Sequence, residues 1–144
     1  MKLSTILAIL PFKSIPMTRF LCLLLALGLS SVSSAQLLTT IPSFPKDTTS
    51  ISFTVDCSKG NQGLLNYGNT NDVYVHVGVI TNLSATITDW KYVKFTWATT
   101  DAAAKASSLG NNKYQYIINN IRNFFAVPVS EQILAVAVLF RNGD

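Results

Sequence analysis

His76 is the only histidine in the 144-residue chain and Glu131 the only glutamate, so proton-transfer chemistry has little to draw on. A Ser-His-Asp set would have to use His76, which sits inside an alternating Val/Tyr/His segment, and the chain has no nucleophile-elbow sequence. A zinc site needs several His or Cys ligands, and only His76 and Cys57 remain once the leader described below is removed. A glycosidase needs two carboxylates held across a sugar. The acidic residues Asp47, Asp56, Asp72, Asp89, Asp101, Glu131 and Asp144 lie mostly beside turns, where a carboxylate usually bonds local backbone N–H groups. The stretch from Asn66 to Asp72 is rich in Asn and lacks the alternating carboxylates of a calcium loop. The residues therefore point to no catalytic set, no metal and no cofactor. Asn82-Leu83-Ser84 fits the N-glycosylation pattern, which has meaning only in a host that glycosylates exported chains.

The aromatic residues offer more. Sugar rings have apolar faces that stack on Trp and Tyr, and a rigid aromatic supplies contact area at low entropy cost. Trp90 follows a polar loop between Asp89 and Lys91 and is the first binding candidate. Tyr74 and His76 share one face of their segment, and Tyr92 lies two residues from Trp90. The competing role for this face is packing against another layer or domain. Trp97 continues the Val93/Phe95 alternation and is expected in the core.

These residues need a scaffold, and composition bounds it. The chain is 49% hydrophobic and 12% charged, too apolar for a disordered protein and long enough for one domain. Its formal charge of +4 is concentrated at the front, in Lys2, Lys13 and Arg19. From Gln36 onward eight Lys/Arg face seven Asp/Glu with no basic cluster, which argues against nucleic acid as a partner. Residues 1–35 read as a signal peptide, with Met17 as a second candidate start. Arg19 supplies the charge, Phe20 to Leu29 the apolar run, and Ser33-Ser34-Ala35 the small residues before cleavage between Ala35 and Gln36. A ten-residue run is too short to span a bilayer, so the membrane is met only during export. The expected location is secreted, periplasmic or cell-surface. The exported chain keeps one cysteine, Cys57, hence no internal disulfide; that residue is expected to be packed, not reactive.

The exported part reads as strands. Gln36 to Ser50, with Pro42 and Pro45, is expected to be an extended, unpaired lead-in. Ile51, Phe53 and Val55 alternate with polar residues, and Val73, Val75, Val77 and Val79 alternate with Tyr74, His76 and Gly78, the period of strands with one buried face. Ser58 to Asp72 is a long loop with three glycines. Tyr92 to Trp97 alternates and is expected to be a strand, as are Lys105 to Leu109 and Lys113 to Ile118, joined by a Gly110-Asn111-Asn112 turn. Asn120 caps a short helical turn, Ile121 to Phe125, that Pro128 ends. Ile133 to Phe140 is apolar on both faces, as a central strand is. Short strands separated by turn signals predict an all-β fold, an immunoglobulin-like antiparallel β-sandwich over residues 51–144.

Five segments then carry a resemblance: Asp72 to Thr81, Asp89-Trp90-Lys91-Tyr92-Val93-Lys94, Leu109 to Tyr114, Ile121-Arg122-Asn123-Phe124-Phe125, and Leu139 to Asp144. The series resembles the N-terminal β-sandwich module of secreted bacterial alpha-amylase-family glycoside hydrolases and of related exported polysaccharide-utilisation proteins. It covers the chain from about Ile51 to its end. The resemblance implies a non-catalytic, starch-type glycan-associated module, with polysaccharide and a downstream catalytic domain of the same parent chain as partners. The parent would be the enzyme. It also implies that the sandwich is cut short after the Asn142-Gly143 turn signal, leaving one edge of the 133–140 strand unpaired. The resemblance to starch-binding modules extends to Tyr74, His76 and Trp90. The alternative is an exported structural or adhesion-type domain with no sugar site.

Overall fold

The computed structural model describes residues 36–143. The expected signal peptide, its cleavage site on the Ala35 side and the Phe20–Leu29 run lie outside the described residues. The described chain is all-β, with six strands in two antiparallel sheets: β1 (Leu38–Ile41), β2 (Ile51–Asp56), β3 (Val73–Thr81), β4 (Ser107–Gly110), β5 (Lys113–Ile118) and β6 (Ile133–Asn142). One sheet runs β1-β2-β5-β4 and the other is the pair β3-β6. Among the described residues the one α-helix, α1 (Ile121–Phe125), is five residues long.

Alternation decides which side chains enter the core. Ile51, Phe53 and Val55 of β2 and Tyr114, Tyr116 and Ile118 of β5 are buried on one face of the first sheet. Val73, Val75, Val77 and Val79 are buried on β3, and all belong to the same apolar cluster. Each fully buried valine contributes about 1.5–3 kcal/mol relative to an exposed one. Cys57, just beyond β2, is buried in this cluster as a free thiol.

Local chemistry fixes the turns. Asn111 and Asn112 both take positive φ, 50° and 60°, which makes the β4–β5 hairpin tight. The Asn120 carboxamide accepts from the Asn123 N–H at 3.1 Å and starts α1, and Ala126, left-handed at φ 56°, ends it. Arg122 then ties the segment down. Its guanidinium donates to Asp47 Oδ2 at 2.6 and 2.9 Å and to the Pro128 and Glu131 carbonyls at 2.6 and 3.0 Å.

Four expectations need correction. The lead-in is not unpaired: Leu38–Ile41 forms β1 against β2, because strand pairing needs only the residues ahead of Pro42. Tyr92–Trp97 is not a strand. Tyr92 and Ala98 take positive φ (52° and 57°), and the segment touches β3 through the Val79–Lys91 bridge and one further bond, Lys94 N–H to the Val77 carbonyl at 3.0 Å. The Lys105–Leu109 strand starts two residues later, because Ala102–Ala104 forms a 3-10 turn capped by Asp101. Ile133–Phe140 is a strand but not a central one: among the described residues β6 pairs with β3 alone, and Leu134 is 59% exposed.

Candidate binding surface

The even-numbered residues of β3 point away from the valine core. Register places Arg141 opposite Tyr74, Leu139 opposite His76 and Ala137 opposite Gly78. This second face is itself largely covered, because the 89–97 segment follows the edge of β3 and folds over it. Val79 and Lys91 exchange backbone bonds of 2.9 and 2.8 Å. Gly78 makes the crossing possible: a Cβ there would meet the Lys91 carbonyl at 3.1 Å, Val93 at 3.2 Å and Trp90 at 3.3 Å. The segment is shaped by Asp89, whose carboxylate accepts from the Ala85 N–H at 2.9 Å and pairs with Lys91 at 3.0 Å. The Ala85 bond, followed by Lys91, holds the Asp89 carboxyl below its usual range.

The crossing gathers an aromatic cluster around His76. The Trp90 ring stacks on the imidazole with centroids 5.8 Å apart and planes 24° apart, and the Trp97 ring meets it edge-on at 5.1 Å. The Arg141 guanidinium lies 5.7 Å from both the Tyr74 and Trp97 ring centroids. It donates to the Asn142 carbonyl at 2.6 Å and to the Thr99 carbonyl. Burial, reinforced by the nearby Arg141 charge, pulls the His76 imidazole below its ordinary pKa, although a backbone hydrogen bond with Phe95 opposes this. Burial and the Arg141 charge both favour the neutral form of the ring. His76 Nδ1 and Arg141 Nε are buried without hydrogen-bond partners, so ring contacts offset part of their desolvation.

Trp97 is 55% exposed, against the expectation of a core position. Phe95 alone of the Val93/Phe95/Trp97 set is buried, since without a strand the alternation no longer aims all three inward. Leu139, 40% exposed, continues the apolar surface beside His76.

Of the four candidates, the structure joins three. Trp90 and His76 stack directly, and Tyr74 belongs to the cluster through Arg141. Tyr92 is committed elsewhere: its hydroxyl donates to Glu131 Oε2 at 2.5 Å, and the Thr81 hydroxyl donates to Glu131 Oε1 at 2.5 Å. These bonds, Thr81 first and Tyr92 second, hold the Glu131 carboxyl below its usual range; the same bond raises the Tyr92 phenol. Glu131 is a buried clasp between the end of β3, the crossing segment and the start of β6. Sequence reasoning missed Trp97 and Arg141. Arg141 was legible only through the β3–β6 register, which no local pattern supplies.

A scan of the chain against protein-family models finds no match, and a search of curated proteins finds none either. Among the described residues no three His, Cys, Asp or Glu side chains converge as metal ligands would. What the arrangement offers chemically is an exposed indole, held by an imidazole and a buried guanidinium, beside an apolar surface.

Proposed function

We propose that this chain is an exported, immunoglobulin-like β-sandwich that serves as a non-catalytic, starch-type glycan-associated module at the front of an alpha-amylase-like glycoside hydrolase. One observation carries the reading: a tryptophan that is 55% exposed, Trp97, sits on a rigid cluster with His76 and Trp90. An exposed aromatic already held in place by ring contacts loses little entropy when a sugar face stacks on it. The exposed residues Thr96 and Thr100 lie beside it in sequence, and their hydroxyls suit the sugar's equatorial hydroxyls. Arg141 stiffens the platform from beneath, as its guanidinium is buried against Tyr74 and Trp97. The two sheets sharing one apolar core support the sandwich reading.

The test is affinity electrophoresis and tryptophan fluorescence with soluble starch and maltoheptaose. Retardation by starch and quenching by maltoheptaose are expected. Trp97→Ala should weaken binding by at least about tenfold, as loss of a stacking anchor does. Tyr92→Phe, which alters the clasp and not the platform, should bind as the unaltered protein does. No retardation on starch, glycogen or other glycans would favour an exported structural or adhesion-type domain without a sugar site.

A further inference from the structure

β6 pairs with β3 along one edge, and among the described residues its other edge has no strand partner. In an antiparallel pair every second residue turns its N–H and C=O away from its neighbour, so over Ala135–Phe140 the open edge presents a row of backbone donors and acceptors to which no strand is paired among the described residues. Edge strands are ordinarily guarded by lysine, proline or bulges. β6 has one register irregularity, at Leu134, and then runs in continuous register from Ala135 to Asn142, with no proline and no charge before Arg141.

The two sheets also part along this edge. Between β1 and β6 lie two cavities. One, of about 390 Å³, is lined by Leu38, Val55, Leu64 and Val138; the other, of about 410 Å³, by Leu38, Phe53, Ile133 and Val136. Leu38 borders both, so they form successive parts of one opening. Three of its lining residues are charged. Lys59 borders the first cavity, and Asp47, already paired with Arg122, borders the second. Arg141 turns its guanidinium to the Tyr74 and Trp97 rings on the opposite face.

We infer that the opening is a strand-acceptor site: an extended, uncharged segment of a partner polypeptide adds to the free edge of β6, and its alternate apolar side chains fill the two cavities. The chemistry selects this occupant. A charged side chain placed against the apolar walls, away from Lys59, would be desolvated without a counter-charge. A free acyl chain would fill the cavities and leave the backbone edge unmatched. A second copy's β6 would match the edge, but its inward side chains, Ile133, Val136, Val138 and Phe140, are already packed on its own core and cannot fill these cavities. β3 shows the required pattern on the other side of β6, pairing backbone to backbone while four valines enter the core. The inference does not depend on glycan binding.

The probe is an end-blocked peptide with the sequence of Val73–Thr81, titrated into the purified protein by calorimetry and by thermal shift. Saturable one-to-one binding is expected, with the melting temperature raised by about 4 °C or more at saturation. Within the peptide, Val75→Lys and Val77→Lys should weaken binding by at least about tenfold, whereas Tyr74→Lys and His76→Lys should change it less than about threefold, because one face is inserted and the other solvated. A second version of the full chain, extended past Asp144 by a glycine turn and the same nine residues, should melt higher than a matched extension carrying the two valine-to-lysine changes. No binding together with no gain from the extension would overturn the proposal. So would lysine losses without the two-residue period. Sedimentation showing dimers that the peptide does not dissociate would assign the edge to a second copy, and equal stabilisation by a neutral detergent would assign the cavities to acyl chains; either result overturns it.

Discussion

Adding a single methyl group at Gly78 tests how the aromatic surface is held. Gly→Ala within a strand normally stabilises a protein by about 0.5–1 kcal/mol, because the unfolded chain has less freedom to lose. Here the new Cβ would stand 3.1 Å from the Lys91 carbonyl oxygen, 3.2 Å from Val93 and 3.3 Å from the Trp90 Cβ. Two of the three do not yield freely. The Lys91 carbonyl accepts the Val79 N–H at 2.9 Å, and Lys91 donates back at 2.8 Å, so displacing it strains two bonds. Trp90 is stacked on His76. Overpacking of this kind costs about 1–3 kcal/mol. The net loss is therefore up to about 2.5 kcal/mol, a fall in melting temperature of as much as roughly 20 °C for a domain of this size. Calorimetry on Gly78→Ala reads the shift, and tryptophan emission reports whether Trp90 and Trp97 gain exposure. Gly78→Val should lower the melting temperature further and shift the emission to the red. If Gly78→Ala instead raises the melting temperature with unchanged emission, the crossing segment is not seated on β3 and the account of the cluster fails.

Val77→Ala should destabilise by about 2–3 kcal/mol in urea titration with an unchanged m-value, since it removes two buried methyl groups and leaves a cavity. The Glu131 clasp sets an acid limit: its folded pKa lies below the ordinary glutamate value, so its stabilisation is present above that value and fades as pH falls through the depressed pKa. Melting curves across pH 7 to 3 should show Glu131→Gln flattening that acid limb; an unchanged limb would place the acid sensitivity elsewhere. Cys57 is buried and its thiol is raised by desolvation, so a thiol reagent at pH 8 should react only after unfolding. Rapid labelling of the native protein would contradict its packing. The Tyr116 phenol, pushed up to about 12 by burial, should be absent from a spectrophotometric titration run to pH 11 in the folded state.

The sequence made strands legible wherever two-residue alternation coincided with burial on one side. Ile51–Asp56 and Lys113–Ile118 match to the residue, and the α1 cap at Asn120 follows from side-chain chemistry alone. Alternation misled at Tyr92–Trp97. Its period is that of a strand, but the positive φ at Tyr92 and Ala98 leaves Trp97 in solvent. Nothing local announces this, because Gly78, fourteen residues upstream of Tyr92, is what lets the segment fold across β3. The apolar character of β6 on both faces pointed to two strand neighbours, and the described fold provides one. For the binding surface, residue type found Trp90, Tyr74 and His76. Arg141 required knowing that β6 lies beside β3, and Tyr92 required knowing that Glu131 comes within reach of its hydroxyl.

The pairing of β3 with β6 has a consequence for biosynthesis. Val73 lies opposite Asn142 and Val79 opposite Val136, a separation of about 60 residues along the chain. β2 waits similarly for β5. A ribosome making this protein therefore releases β3, whose valines are among the most deeply buried residues of the core, long before the neighbouring strand exists. Until residue 142 has been added, four valines and a full row of amides remain open to whatever else the nascent chain meets. Such an order of synthesis suits a polypeptide that is kept unfolded by holding factors and folds only when complete. It also makes the interval between translation and folding, not the finished structure, the stage at which aggregation competes most strongly.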